Sequence, residues 1–137
     1  MAGNRGNDNE RYRSVAEFAK YQGQPLRKQI KELEQVQGNA VNTIFVCNAH
    51  PDHIEDVLLE NLRDKEKVDP KISAEKYKMQ FSLTSTDQGG IVQNSGICIK
   101  LHKVDDEHTA VEFQNLGGNQ CRFYDHYHNF KKNVLNF

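Results

Sequence analysis

The chain has 137 residues, enough for one domain with one hydrophobic core, and carries 18 Lys and Arg against 19 Asp and Glu. The net charge of −1 argues against a nucleic-acid-binding protein, and no apolar run approaches the roughly 18 residues that a spanning helix needs. Three scattered cysteines without a Cys-x-x-Cys pair, and a start without the apolar core of a signal peptide, predict a cytoplasmic protein, with nuclear or peripheral-membrane placement left open.

The first forty residues predict an extension ahead of the domain. Residues 1–10 are almost entirely polar and cannot offset the entropy of ordering, so they predict a disordered tail. Residues 11–40 predict a helical linker, whose second helix, residues 25–37, starts at a proline and stops at a Gly-Asn pair. The apolar side of that helix would hold Leu26, Ile30 and Leu33.

Residues 41–137 predict the domain itself, which begins with a strand and a helix. Residues 41–47 are rich in β-branched and aromatic side chains, which favours a strand. The string His50-Pro51-Asp52 then opens a helix that should end near residue 64, because proline suits the first helical position and acidic side chains suit the positive end of the helix dipole. Residues 65–75 are charged and predict a connecting loop.

Three more strands and a final helix complete the pattern. Residues 76–83 alternate between polar and apolar side chains, as do residues 97–104 and 109–116, which a polar turn joins into a hairpin. Residues 84–95 are polar, contain a glycine pair and predict a loop. The last apolar residues step by four, three, four and three, which places them on one helical stripe: Phe123, Tyr127, Phe130, Val134 and Phe137.

The order of these elements, strand-helix-strand-strand-strand-helix, predicts an α+β fold. We expect a four-stranded antiparallel sheet with two helices packed on one face, preceded by the helical extension. The other face of the sheet would stay open to solvent or to a partner. The inward-facing residues of the sheet would be Tyr77, Met79, Phe81, Leu83, Ile97, Ile99, Leu101, Val111 and Phe113.

Residues 42–137 resemble the kinase-associated-1 domain. This domain ends the checkpoint kinases, the microtubule-affinity-regulating kinases and relatives of the AMP-activated kinase. In that family a hairpin with an acidic turn leads through a glycine-containing loop into an aromatic-rich last helix. The strings that carry the resemblance are Thr43-Ile44-Phe45-Val46, His50-Pro51-Asp52, Lys76-Tyr77-Lys78-Met79, Cys98-Ile99-Lys100-Leu101-His102-Lys103-Val104-Asp105-Asp106, Val111-Glu112-Phe113 and Phe123-Tyr124-Asp125-His126-Tyr127.

The resemblance implies a non-catalytic regulatory domain of a Ser/Thr protein kinase, with no cofactor. Such domains dock on their own kinase domain, on partner proteins or on anionic phospholipid. The chain itself contains no glycine-rich kinase loop, no His-Arg-Asp and no Asp-Phe-Gly. We therefore expect it to act by autoinhibitory docking, as part of a kinase or as a stand-alone copy, rather than as an enzyme.

A docking surface of this kind would use cationic side chains on the open sheet face, the turn and the last helix. Residues 43–137 nevertheless carry eleven Lys and Arg against fourteen Asp and Glu, unlike the strongly basic members that bind lipid. This balance favours a kinase domain or another protein as the partner, keeps anionic lipid second and leaves out nucleic acid. The candidate residues are Lys76, Lys78, Lys100, Lys103, Arg122, Lys131 and Lys132.

Two alternatives remain. A strand followed by His50-Pro51-Asp52-His53 resembles the metal-binding string of metallo-β-lactamase-like hydrolases, in which His50, Asp52 and His53 would be metal ligands. Asn48 stands where that string has its first histidine, which makes this site a degenerate one at best. The other alternative is a generic α+β protein-interaction module without a kinase.

Overall fold

The computed structural model describes residues 25–33, 43–86 and 88–135. These ranges form an α+β fold with a mostly antiparallel sheet, as predicted from the order of elements. The strands are β1 (Lys31–Glu32), β2 (Ile44–Cys47), β3 (Lys71–Ile72), β4 (Lys78–Thr86), β5 (Val92–Lys103) and β6 (Thr109–Gly117). The helices are α1 (Pro51–Asp64) and α2 (Gln120–Asn129), and a π-helical turn, Phe130–Val134, continues α2. No helix among the described residues is both long and apolar enough to cross a membrane.

The main part of the sheet has the order β2-β6-β5-β4-β3, with every neighbouring pair antiparallel. Strand β1 pairs in parallel with the end of β5, where Lys31 lies opposite His102, just beyond the point where β4 begins. The described sheet therefore has six strands rather than the predicted four. The two additional strands have two residues each, too few to show an alternating pattern.

The helix predicted over residues 25–37 is wrong across the part that the structure describes. Residues 25–33 are extended and contribute β1, while residues 34–37 lie outside the described ranges. Pairing with β5 and side-chain contacts to α1 replace the intrahelical hydrogen bonds, so tertiary contacts outweigh the weak periodic pattern. The predicted tail, residues 1–10, and the predicted first helix of the linker also lie outside the described residues.

The first helix of the domain follows its sequence signals closely. The side chain of His50 caps α1 by accepting a hydrogen bond from the backbone N–H of Asp52 at 3.1 Å, and Pro51 occupies the first position. The helix ends at Asp64, as predicted, and buries Ile54, Leu58 and Leu62 against the sheet.

The loop predicted over residues 84–95 is much shorter in the structure. Strand β4 continues to Thr86 and β5 begins at Val92, so most of that segment is a paired hairpin extension. Side chains there are polar or exposed on both faces, which removes the alternation on which the sequence prediction depends. The hairpin of β5 and β6 was predicted within a few residues.

The core lies between the sheet and the two helices, and all nine predicted inward residues are buried. Its centre is aromatic: the ring centroid of Phe113 lies 5.2 Å from that of Tyr127 and 5.7 Å from that of Phe130. Phe45 stacks on Phe113 at 6.2 Å. The predicted stripe of the last helix is buried at Phe123, Tyr127 and Phe130 and half-buried at Val134, while Phe137 is outside the described residues. The ring of Phe81 on β4 lies 5.9 Å from that of Phe130, so one aromatic cluster joins α2 and its π-helical turn to three strands.

Candidate functional site

A groove of about 610 Å³ lies on the face of the sheet that carries no helix. Its floor comes from β4 and β5, its far wall from β3 and its near wall from the extended segment that contains β1. Five lysines line it: Lys31, Lys71, Lys76, Lys78 and Lys100. Strand alternation places Lys78 and Lys100 there, because the residues next to them in sequence, Met79 and Ile99, are buried toward the helices.

The pairing register brings the lysines close together. Lys78 lies directly opposite Lys100, and Lys71 lies opposite Gln80 on the same face of the sheet. Like charges directly opposite in an antiparallel pair destabilise it. Cys98 lies in the sheet between Gln80 and Gln114 and is buried, and desolvation raises the pKa of its thiol. The floor of the groove is therefore a compact cationic surface.

Counter-charges for this surface are scarce. Among residues 25–33, 43–86 and 88–135, no carboxylate lies within 4.0 Å of the ammonium group of any of the five lysines. Glu112 lies opposite Lys100 in the register, but its carboxylate pairs with the ring Nε2 of His102 at 2.9 Å. Glu75 also lines the groove. A ligand that fits here must supply negative charge itself.

The structure divides the predicted docking residues between two sides of the molecule. Lys76, Lys78 and Lys100 lie in the groove. Lys103 is three residues from Lys100 on β5 and therefore lies on the other face of the strand. Its ammonium group lies 3.4 Å from the carboxylate of Asp106 in the turn.

The remaining three cations, Arg122, Lys131 and Lys132, belong to α2 and its π-helical turn, on the covered side of the sheet. The ammonium group of Lys131 lies 5.6 Å from the centroid of the Phe45 ring, a cation–π contact. Sequence reasoning missed Lys31 and Lys71, because both lie in two-residue strands that no pattern reveals. The seven predicted residues therefore do not form one surface, and the groove gains two lysines that were not predicted.

A second charged cluster lies at the start of α1. Its carboxylates were predicted to stabilise the helix dipole, and in the structure they also bind the extended segment. The guanidinium group of Arg27 lies 3.1 Å from the carboxylate of Asp52 and 2.8 Å from that of Asp56. The ammonium group of Lys28 lies 2.6 Å from the carboxylate of Glu55.

The buried carboxylate of this cluster has a further partner. The hydroxyl group of Tyr77 donates a hydrogen bond to Asp52, whose residue exposure is only 2 %. Burial raises the pKa of the Tyr77 hydroxyl, and this hydrogen bond raises it further. The hydrogen bond to Asp56 raises the pKa of the Arg27 guanidinium group. The phenol therefore stays protonated and the guanidinium group charged, so both remain hydrogen-bond donors to carboxylates of α1 across the physiological pH range.

The side chains of the histidine-containing string make structural contacts at the start of α1 instead of converging on a common metal-binding position. The ring of His50 caps α1, Asp52 contacts Arg27 and Tyr77, and His53 is buried on the helix. In the part of the chain that the structure describes, no group of three or more His, Cys, Asp and Glu side chains is placed to hold a metal ion. The side chains of the proposed metal string thus have structural contacts, which the string alone does not reveal.

No protein-family model and no curated protein matches this chain. Two features of the described residues indicate binding sites: the lysine-lined groove on the open face, and the acidic cluster that binds the extended segment.

Proposed function

We propose that this chain is a non-catalytic regulatory module that docks on the catalytic domain of a Ser/Thr protein kinase, or on a partner protein, through the lysine-lined groove. The single observation that carries the proposal is the set of five groove lysines without a carboxylate partner among the described residues. The order of the longer elements, in which β2 and α1 precede β4, β5, β6 and α2, and the resemblance to the kinase-associated-1 domain support the choice of a kinase as the partner.

The chemistry of docking follows from the charges. An acidic protein element entering the groove would place carboxylates between Lys78 and Lys100 and relieve their mutual repulsion. The groove is recessed between β1 and β3, so it suits a protruding loop or helix end rather than a flat surface. At about 0.1 M salt, exposed charges are screened over roughly 10 Å, so the affinity should fall as salt rises.

Regulation requires that docking favour one state of the kinase. The module would hold the catalytic domain in a less active arrangement only if it binds that arrangement more tightly than the active one. A competitor for the groove would then release the kinase. This is the autoinhibitory docking expected from the resemblance.

The test is inhibition of kinase activity in trans. The purified chain would be titrated into Ser/Thr kinase catalytic domains from the organism that encodes it, with phosphorylation of a peptide substrate as the readout. We expect inhibition of at least one kinase, weakened tenfold or more by Lys78→Glu/Lys100→Glu. The matched control, Lys67→Glu/Lys132→Glu, reverses two exposed charges outside the groove and should inhibit like wild type. Failure of the wild-type chain to bind or inhibit any of these kinases would contradict the proposal that a kinase catalytic domain is the partner.

Anionic phospholipid is the second candidate ligand, favoured by the same lysines. Each Lys near an anionic membrane contributes about 1 kcal/mol. Because Arg122, Lys131 and Lys132 belong to the other side of the sheet, fewer cations than predicted would face one membrane. Sedimentation with anionic and with neutral vesicles would test this role, with Lys76→Glu/Lys78→Glu/Lys100→Glu as the variant. Wild-type protein that stays in solution with anionic vesicles would rule it out.

A further inference from the structure

Residues 25–33 cross the end of the sheet in the manner of a bound peptide. The backbone N–H of Gln29 donates to the carbonyl of Glu75 at 2.8 Å, and the N–H of Leu33 donates to the carbonyl of Lys103 at 2.9 Å. Between these bonds, β1 lies parallel to the end of β5. Most side chains of the segment are exposed, and Ile30 and Leu33 are only half-buried. Apolar burial therefore contributes little to its attachment.

Two adjacent cations provide the attachment instead. Besides its side-chain contacts, Arg27 donates from its guanidinium group to the backbone carbonyl of Asp52 at 2.9 Å, and its backbone N–H donates to the Asp52 carboxylate at 3.3 Å. The ammonium group of Lys28 bonds Glu55, and its backbone N–H donates to the hydroxyl group of Tyr77 at 3.3 Å. The segment is recognised by an Arg-Lys pair and by its extended backbone.

The surface that receives the segment is charged, and the segment buries it. The side chains of Asp52 and Glu55 are 2 % and 6 % exposed even though the Arg27 side chain that covers them is 48 % exposed. Replacing the cations while the segment still covers this surface would leave two buried carboxylates without their cationic partners, which is strongly unfavourable. An occupant that covers these carboxylates must therefore bring cations of the same kind, and it must be extended to make the two backbone bonds.

We propose that this surface is a binding site for an extended Arg-Lys segment of a partner protein, for which residues 25–33 act as a built-in competitor. We call it the acceptor site: the carboxylates of Asp52, Glu55 and Asp56, the hydroxyl of Tyr77, and the sheet edge at Glu75 and Lys103. The binding mode is addition of a strand to a sheet edge, with the Arg-Lys pair providing specificity. This proposal does not depend on the kinase assignment.

Exchange of the segment would also alter the groove. Gln29 and Lys31 of the segment form the near wall of the lysine-lined groove. A partner strand in the acceptor site would replace that wall with its own side chains. The two sites are therefore physically adjacent, and occupancy of one would change the shape and charge of the other.

The competitor has an advantage because it is attached to the same chain. An attached segment acts at an effective concentration in the millimolar range, so a free peptide binds the wild-type chain only weakly. Opening the site genetically removes this competition. The full-length variant Arg27→Ala/Lys28→Ala does so while leaving every residue of the acceptor site in place.

The experiment measures fluorescence anisotropy of a labelled peptide with the sequence of residues 25–33. We expect the Arg27→Ala/Lys28→Ala chain to bind it at least tenfold more tightly than the wild-type chain does, and to lose that affinity as salt rises. The control peptide carries Glu in place of Arg27 and of Lys28 and should not bind. Equal binding of the two peptides, or no binding by a variant whose circular dichroism shows a folded protein, would overturn the proposal.

A second variant covers the case in which the first does not fold. Gln29→Pro/Leu33→Pro removes the two backbone donors but leaves Arg27 and Lys28 to neutralise the carboxylates. It should also bind the peptide more tightly than wild type, and failure to do so when folded would count against the proposal. A dimer of the wild-type chain that Arg27→Ala/Lys28→Ala abolishes would identify the occupant as a second copy, and would overturn its assignment to a different protein.

Discussion

The two faces of the sheet use the same strands for different purposes. On the covered face, aromatic and aliphatic side chains from β2, β4, β5 and β6 pack against the helices, with Phe113 at the centre. On the open face, the intervening residues of β4 and β5 form the floor of the groove, where Lys78 lies opposite Lys100. Adjacent residues along one strand thus belong to the core and to the candidate site in turn.

This difference means that stability and recognition can be changed separately. Substitutions on the covered face should change the free energy of unfolding and reach the groove only indirectly. Substitutions on the open face should change binding and leave unfolding nearly as it was.

Removing the central aromatic ring should cause the largest loss of stability. Phe113 is 2 % exposed and contacts three other rings, so Phe113→Ala should lower the free energy of unfolding by about 3–5 kcal/mol. Urea denaturation followed by circular dichroism would measure this. The control is Gln114→Ala, the next residue on β6, which faces the open side and should change stability by no more than about 0.5 kcal/mol. Similar losses for the two variants would contradict the division between faces.

The turn that brings α2 onto the covered face should tolerate only glycine at one position. Gly118 has φ +112°, and a Cβ there would lie 2.6 Å from the backbone oxygen of Asn94. Gly118→Ala should therefore cost about 1–3 kcal/mol in unfolding free energy, again by urea denaturation. Gly117→Ala provides the matched comparison, because a Cβ there meets nothing within 4 Å. Equal losses of unfolding free energy for the two variants would contradict a requirement for glycine at position 118.

On the open face, removal of a lysine should stabilise the protein slightly. Lys78→Gln ends the repulsion with Lys100 and should raise the unfolding free energy by about 0.2–1 kcal/mol at low salt. The gain should shrink as salt screens the charges, while the exposed Lys132→Gln should show no such gain. Thermal unfolding at low and at high salt would measure it. Destabilisation by Lys78→Gln would show that a counter-charge already occupies the groove.

The smallest effect concerns a histidine of α2. Burial lowers the pKa of His126, with Glu66 and Asp125 acting in the opposite direction and Arg122 adding to the lowering. The unfolded chain therefore takes up a proton near pH 6.5 while the folded chain does not, so stability should fall as pH drops from about 6.5 toward the lower folded pKa. His126→Gln should flatten this part of the profile relative to wild type, measured by urea midpoints from pH 7.5 to 5. Identical profiles would contradict the burial of the neutral ring.

The covered face was largely predictable from the sequence, because long alternating strands and a helical stripe leave a clear hydrophobic pattern. All nine inward strand residues and three of the five stripe residues are buried as predicted. The start of α1 was predictable for a different reason: His50-Pro51-Asp52 provides a cap, a proline and an acidic first turn, all local signals. Local chemistry and periodicity were sufficient for these elements.

The groove and the extended segment were predictable only in part. Lys76, Lys78 and Lys100 could be assigned to one face by alternation, whereas Lys31 and Lys71 depend on strands of two residues. The segment itself was predicted as a helix from its proline start and the spacing of Leu26, Ile30 and Leu33, and the contacts of Arg27 and Lys28 with α1 leave no such local pattern. Those partners are about 25 residues away in sequence, beyond any local pattern.

The most direct test of the docking claim is to map the binding surface by NMR. Amide chemical shifts of the labelled chain would be followed while an inhibited kinase catalytic domain is added. We expect the changes to concentrate on β1, β3, β4 and the end of β5, around Lys78 and Lys100, and we expect Lys78→Glu/Lys100→Glu to abolish them. Changes concentrated instead on the exposed side of α2 near Arg122 and Lys132, with the groove unaffected, would contradict it.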